Sequence, residues 1–178
     1  MSKLEVREIG PISGETDLKL GQSGGTVTLA DGANAIGFGG GGKVLQVVQE
    51  VYSTQTATSS DSYVTSGLQA SITPSSTSSK ILVIAKVTAF YNSGGGGDPT
   101  GGSIALFRDG ANILDRCASS YSQFNGLAID AGVNFMDSPN STASLNYEIR
   151  FRSEFGTGNQ FCHDNDTPST MILMEVLA

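Results

Sequence analysis

Residues 145–152 read Leu145-Asn146-Tyr147-Glu148-Ile149-Arg150-Phe151-Arg152, with apolar bulk at every odd position and an amide or a charge at every even one. Successive side chains of a strand point to opposite faces. The octet therefore reads as a strand that lays Leu145, Tyr147, Ile149 and Phe151 on a core and turns Asn146, Glu148, Arg150 and Arg152 away from it. A slip of one residue would bury Glu148, Arg150 and Arg152, so the register is firmly set.

The same period extends outward from this strand. Leu127, Ile129, Ala131, Val133 and Phe135 share one face upstream of it. Before them, Asp109-Gly110 sits between Ser103–Arg108 and Ala111–Asp115. That pair predicts a two-residue type I′ hairpin, which needs positive φ at both central positions. Val44–Tyr52 is a long apolar-rich strand, and Leu68–Ile72 alternates before the turn Thr73-Pro74-Ser75-Ser76. Ile81–Tyr91 is apolar almost without break, as in a strand covered on both faces. The last run, Met171–Leu177, is apolar nearly throughout, too apolar for an edge strand in water. No segment keeps a helical period over three turns. About eight strands with Gly, Pro and Ser turns predict an all-β domain over 43–178, a jelly-roll-like β-sandwich. An immunoglobulin-like sandwich is the alternative, but the chain has no Trp to supply its buried one.

Residues 1–42 have a different character. Leu4–Ile9 alternates, Leu18, Leu20, Val27 and Leu29 form short apolar pairs, and Gly37-Phe38-Gly39-Gly40-Gly41-Gly42 makes a flexible joint. Each piece is too short to own a core. The segment reads as an extended arm for anchoring or oligomerisation that gains shape from other copies or other proteins, with a domain boundary at 42/43.

Composition narrows the function. The 178 residues carry a formal net charge of −7, only 15% charged residues and 23 glycines. An acidic chain without a Lys/Arg cluster is a poor partner for nucleic acid or for an anionic membrane. Neither a membrane-spanning apolar run nor an apolar signal core after Met1 is present, so no membrane insertion and no cleaved leader are expected. Cys117 and Cys162 do not make a disulfide framework and read as free thiols, although sequence leaves their pairing open.

Candidate chemistry is sparse. The one histidine, His163, lies in Cys162-His163-Asp164-Asn165-Asp166. Neighbouring residues on a strand face opposite ways and chelate poorly together, so the expectation is a polar loop with no metal and no cofactor. Glu148 and Glu154 fall on one outward face about 20 Å apart, beyond the reach of a glycosidase pair; Asp130 and Asp137 are the remaining acidic candidates. No catalytic residue is assigned, and the chain reads as a non-enzyme. Interface candidates are Met171, Leu173 and Val176 in the terminal strand. Candidates for loop contacts are the aromatics Tyr121, Phe124 and Phe161, alongside the alternative that they pack beneath their own loops.

Three stretches resemble the fibre and surface proteins of marine tailed phages (cyanophage or pelagiphage). They are Gly25-Thr26-Val27-Thr28-Leu29-Ala30-Asp31-Gly32-Ala33 with Gly37-Phe38-Gly39-Gly40, then Lys43-Val44-Leu45-Gln46-Val47-Val48-Gln49, and Ser71-Ile72-Thr73-Pro74-Ser75-Ser76-Thr77-Ser78-Ser79-Lys80-Ile81-Leu82-Val83. The resemblance implies a virion structural protein assembled in the host cytoplasm. Residues 1–42 would then bind other virion proteins, and the knob would contact a host receptor or glycan. The layout also resembles tumour-necrosis-factor-like heads, which implies a homotrimer with the terminal strand near the three-fold axis. A tail-fibre subunit is the first reading, and a capsid decoration protein, favoured by the short arm, is the alternative. A polysaccharide-cleaving spike comes last.

Overall fold

The computed structural model describes residues 43–94, 99–122, 128–155, 158–163 and 165–177. The arm at 1–42 and its boundary lie outside the described residues. Ten strands carry the described fold: β1 Val44–Tyr52, β2 Thr56–Thr58, β3 Val64–Ile72, β4 Lys80–Gly94, β5 Thr100–Arg108, β6 Ala111–Ser122, β7 Ile129–Asp137, β8 Leu145–Phe155, β9 Gly158–Cys162 and β10 Ser169–Val176. Of these, β2 and β9 were not legible in the sequence; each is too short to show a period.

The pairing shows how the chain winds. β1 pairs with β10, β3 with β8, β4 with β7 and β5 with β6, all antiparallel. These nested pairs describe one long ribbon folded back at the β5–β6 turn. Rolling that ribbon brings β10 beside β4 and β8 beside β5. Two sheets result, with the orders β1-β10-β4-β7 and β3-β8-β5-β6. This is the jelly roll, an eight-stranded double sheet. At Ala89 (φ 51) β4 leaves its β7 register, and its last residues, Tyr91–Gly94, take up β9, which in turn holds β2.

The core lies between the two sheets and follows the sequence alternation. Tyr147, Ile149 and Phe151 of β8 are fully buried and Leu145 nearly so. They share one core with Leu68, Ile104 and Leu106 of their own sheet and with Ile81, Val83, Val87, Phe90, Val133, Met171 and Leu173 of the facing one. The β5–β6 turn has Asp109 at φ 49 and Gly110 at φ 81, as a type I′ turn requires. Asp109 also pins it to β8: its N–H donates to the Asn146 carbonyl, and its carboxylate accepts from the Asn146 N–H, both at 2.9 Å.

Candidate functional site

The outward face of the β1-β10-β4-β7 sheet is apolar. Val47, Met174, Leu82 and Met136 stand in register across all four strands. In the next row Ile172 and Ile84 are flanked by Gln49 and Asn134. Val51, Thr170, Lys86 and Gly132 follow, and Val176 lies at the opposite end. Val47 is 57% exposed, Val51 54% and Met136 45%, high values for bulky apolar groups. Strands about 4.8 Å apart and rising about 3.3 Å per residue give this face an area on the order of 500 Å². The apolar groups occupy part of it, the row from Val47 to Met136 with Ile172 and Ile84 beside it, and an apolar patch of a few hundred Å² is often a contact surface.

This geometry corrects the interface candidates. Met171 and Leu173 are fully buried in the core and reach no partner. Of the three named, Val176 alone is on the outward face; Ile172 and Met174 belong there too. β10 lies between β1 and β4, so it is not an edge strand, in keeping with its apolar composition. The phase could not be read because both faces of β10 are apolar. Its one charge, Glu175, points the unexpected way, being 1% exposed on the inward side. There its Oε1 accepts from the Ser75 N–H (2.7 Å) and hydroxyl (2.6 Å), and Oε2 accepts from the Gln46 amide (2.6 Å).

The opposite face, outside β3-β8-β5-β6, is a ladder of guanidinium and aromatic planes. Arg150 lies over the Phe107 ring at 4.5 Å, Phe107 meets Tyr63 edge to face at 5.6 Å, and Arg152 lies over Tyr63 at 4.6 Å. Glu148 holds Arg150 at 2.7 Å. At the other end Glu154 accepts from Arg152 at 2.9 Å, from the Ser103 hydroxyl at 3.0 Å and from Arg116 at 2.6 Å. The outward register of β8 therefore agrees with the sequence reading.

A β-bulge completes that end of the ladder. Between the pairs Ile104↔Ala118 and Leu106↔Leu114, β6 spends more residues than β5, and Arg116 takes φ 50. The bulge turns both Asp115 and Arg116 outward, where strict alternation would expose only one of them. Asp115 accepts from the Tyr63 hydroxyl (2.8 Å) and the Asn112 amide (3.1 Å), bonds that hold its carboxyl below the usual range. Burial and this same carboxylate push the Tyr63 phenol up. Beside Arg116 opens a cleft of about 440 Å³ lined by Asp61, Arg116, Arg152, Ser153 and Glu154. Tyr63, Asp115 and Arg116 were missed in the sequence, where a bulge leaves only a broken alternation after Leu114.

Among solved structures the chain is similar to infectious bursal virus-derived T=1 particles, at 14% identity over 75% of this chain and 36% of that one, TM-score 0.39. It is also similar to the VP2 subviral particle of infectious bursal disease virus (14% identity, 75% and 37%, TM-score 0.35). A third likeness is to dimeric latent PorU from Porphyromonas gingivalis (12% identity, 79% and 14%, TM-score 0.34). The chain spans less than half the length of each of these. No family model and no curated protein matches it. The jelly-roll assignment stands on the nested strand pairing, independent of these likenesses.

The remaining candidates have definite places. Tyr121 is 58% exposed at the end of β6, and Phe161 stacks on Tyr91 from the adjacent strand (4.7 Å, interplanar 7°). Neither of the two is in a loop; Phe124 lies outside the described residues. His163 follows the end of β9 in the expected loop, but its side chain is not at the surface. With φ 64 it swings into the interior and is fully buried beside Cys162. Its Nδ1 lies 2.6 Å from the Ser169 hydroxyl and its Nε2 2.9 Å from the Ser66 carbonyl. Cys162 and Cys117 are free thiols. Burial pushes the Cys117 thiol up to about 11 and raises that of Cys162 as well. Among the described residues no three His, Cys, Asp or Glu side chains converge as metal ligands. Asp130 pairs with Lys86, and Asp137 receives Arg108 and the Tyr147 hydroxyl.

Proposed function

We propose that the chain is a structural, non-enzymatic subunit of a virus particle, a tail-fibre or appendage protein that self-associates through the apolar face of β1-β10-β4-β7 and presents its knob for host contact. The carrying observation is that face: a row of Val47, Met174, Leu82 and Met136 that a lone knob leaves in water. The resemblance of residues 25–90 to phage fibre and surface proteins supplies the particle. The likeness of layout to tumour-necrosis-factor-like heads supplies the stoichiometry, a homotrimer.

Light scattering on the full chain tests the assembly. The expected result is three times the 18.4 kDa subunit at micromolar concentration, and a persistent monomer overturns it. Imaging of virions labelled with an antibody to 43–178 tests the location. Tail labelling is expected, whereas labelling over the head makes the protein a capsid decoration subunit.

A further inference from the structure

We infer that the cleft at the β6 bulge, lined by Asp61, Arg116, Arg152, Ser153 and Glu154, is a binding site for a neutral pyranose sugar. This deepens the host-contact reading by naming a place and a ligand class, and it rests on that reading only for its biological setting.

Two independent observations mark the site as built. The first is the backbone. Arg116 adopts φ 50, a left-handed conformation that costs a non-glycine residue energy and persists where the surroundings impose it. The hairpin does not require it, since the β5–β6 turn is already closed at Asp109-Gly110. Its effect is to place a half-exposed guanidinium over the rim of the cleft. The second is the fixed floor. The Glu154 side chain is only 8% exposed and is locked by Arg116, Arg152 and Ser103, while Arg152 is stacked on Tyr63. A site whose polar groups are already oriented binds without ordering cost. The cleft is open and polar, with a volume of about 440 Å³.

The charge pattern selects the ligand. Asp61 and Glu154 set two carboxylates against the two guanidiniums of Arg116 and Arg152, so an anion gains no net attraction. A cation finds no three acidic ligands converging among the described residues. Planar donors and acceptors remain, side by side at fixed spacing. Vicinal hydroxyls, each able to donate and accept, complement that array.

The test is a titration of the full chain with methyl glucoside, methyl galactoside and methyl mannoside, followed through the Arg Nε–H and Tyr63 ring resonances. Glucuronate and inorganic phosphate serve as anionic controls. The expected result is a saturable shift at Arg116, Arg152 and Tyr63 with at least one neutral glycoside, at an affinity on the order of 1 mM. Arg116→Gly separates binding from structure because glycine accepts φ 50 without strain. It should melt no lower than the parent yet bind at least tenfold more weakly; if it melts lower, Asp61→Asn at the exposed rim must show the tenfold loss instead. No shift with any neutral glycoside, a response to the anions alone, or parental affinity in both variants overturns the site. Light scattering on the same samples reads the assembly separately: a trimer that binds no sugar refutes this site alone, and a monomer that binds sugar refutes the assembly alone.

Discussion

His163 shows how much one buried residue ties together. A carbonyl only accepts, so the contact with Ser66 puts the ring proton on Nε2, and Nδ1 accepts from the Ser169 hydroxyl. Ser169 in turn accepts from the Thr88 N–H at 2.9 Å, and the Tyr52 ring closes over the imidazole edge to face. One imidazole thus joins β1, β3, β4 and β10. A second ring proton would place a charge in this interior, so burial lowers the His163 pKa. A group whose folded pKa is depressed contributes stability that is present above its unfolded value and lost as pH falls through the folded one. The window therefore opens at about 6.5 and extends downward, with a limiting slope of about 1.4 kcal/mol per pH unit. There is no other histidine to share it. Urea midpoints at fixed protein concentration should be flat from pH 8 to 7 and fall toward pH 5, and His163→Gln should flatten the fall. A second residue-scale expectation concerns β8. Ile149 is fully buried, so Ile149→Ala should cost about 2–5 kcal/mol. Arg150, partly exposed, should cost about 1 kcal/mol or less as Arg150→Ala, through its Glu148 pair and Phe107 contact. Thermal melts of the two variants rank them, and the reverse order would refute the face assignment.

At the scale of elements, legibility tracked asymmetry. β8 was readable because its two faces differ in chemistry, and the β5–β6 turn because Asp-Gly tolerates positive φ at both centres. β10 was readable as a strand but not in phase, because leucine, isoleucine and methionine serve equally well inside a core and inside an interface. The near-continuous apolar run of β4 predicts two covered faces; the core covers one, where Ile81, Val83 and Val87 are buried, and the other carries Leu82 and Ile84 on the half-exposed outer side of the sheet. The cleft at the bulge was not legible, because it depends on Asp61, Arg116 and Glu154 meeting from three separate segments. Glu175 belongs here as well, since it fastens β10 and β1 to the β3–β4 turn. Burial alone would raise its pKa, but the bonds from Ser75 and Gln46 outweigh that and hold it at about 2. Its contribution is present above about 4.5 and lost as pH falls toward 2. Glu175→Ala leaves the Ser75 N–H and the Gln46 amide without their acceptor and should cost about 1–3 kcal/mol at pH 7. Equal stability of that variant would refute the role.

At the scale of the whole molecule, the two faces of the sandwich divide the work. One carries guanidinium, carboxylate and aromatic groups that satisfy one another in the presence of water, so its stability does not call for a second copy of the chain. The other carries Val47, Ile172, Met174, Leu82, Ile84 and Met136, groups whose transfer from water to a neighbour is worth about 25 cal/mol per Å². Val47→Glu tests this division. At 57% exposure the new carboxylate remains solvated in an isolated subunit, so the fold should survive with unchanged circular dichroism. Between subunits the same carboxylate would be buried without a partner at a cost of several kcal/mol, and each 1.4 kcal/mol weakens association about tenfold. The variant should therefore sediment as an 18.4 kDa species at concentrations where the parent forms the proposed trimer. Leu173→Glu, one step out of phase on β10, should instead unfold the knob, because position 173 is fully buried. A folded, trimeric Val47→Glu protein would show that the apolar face is not where the copies meet.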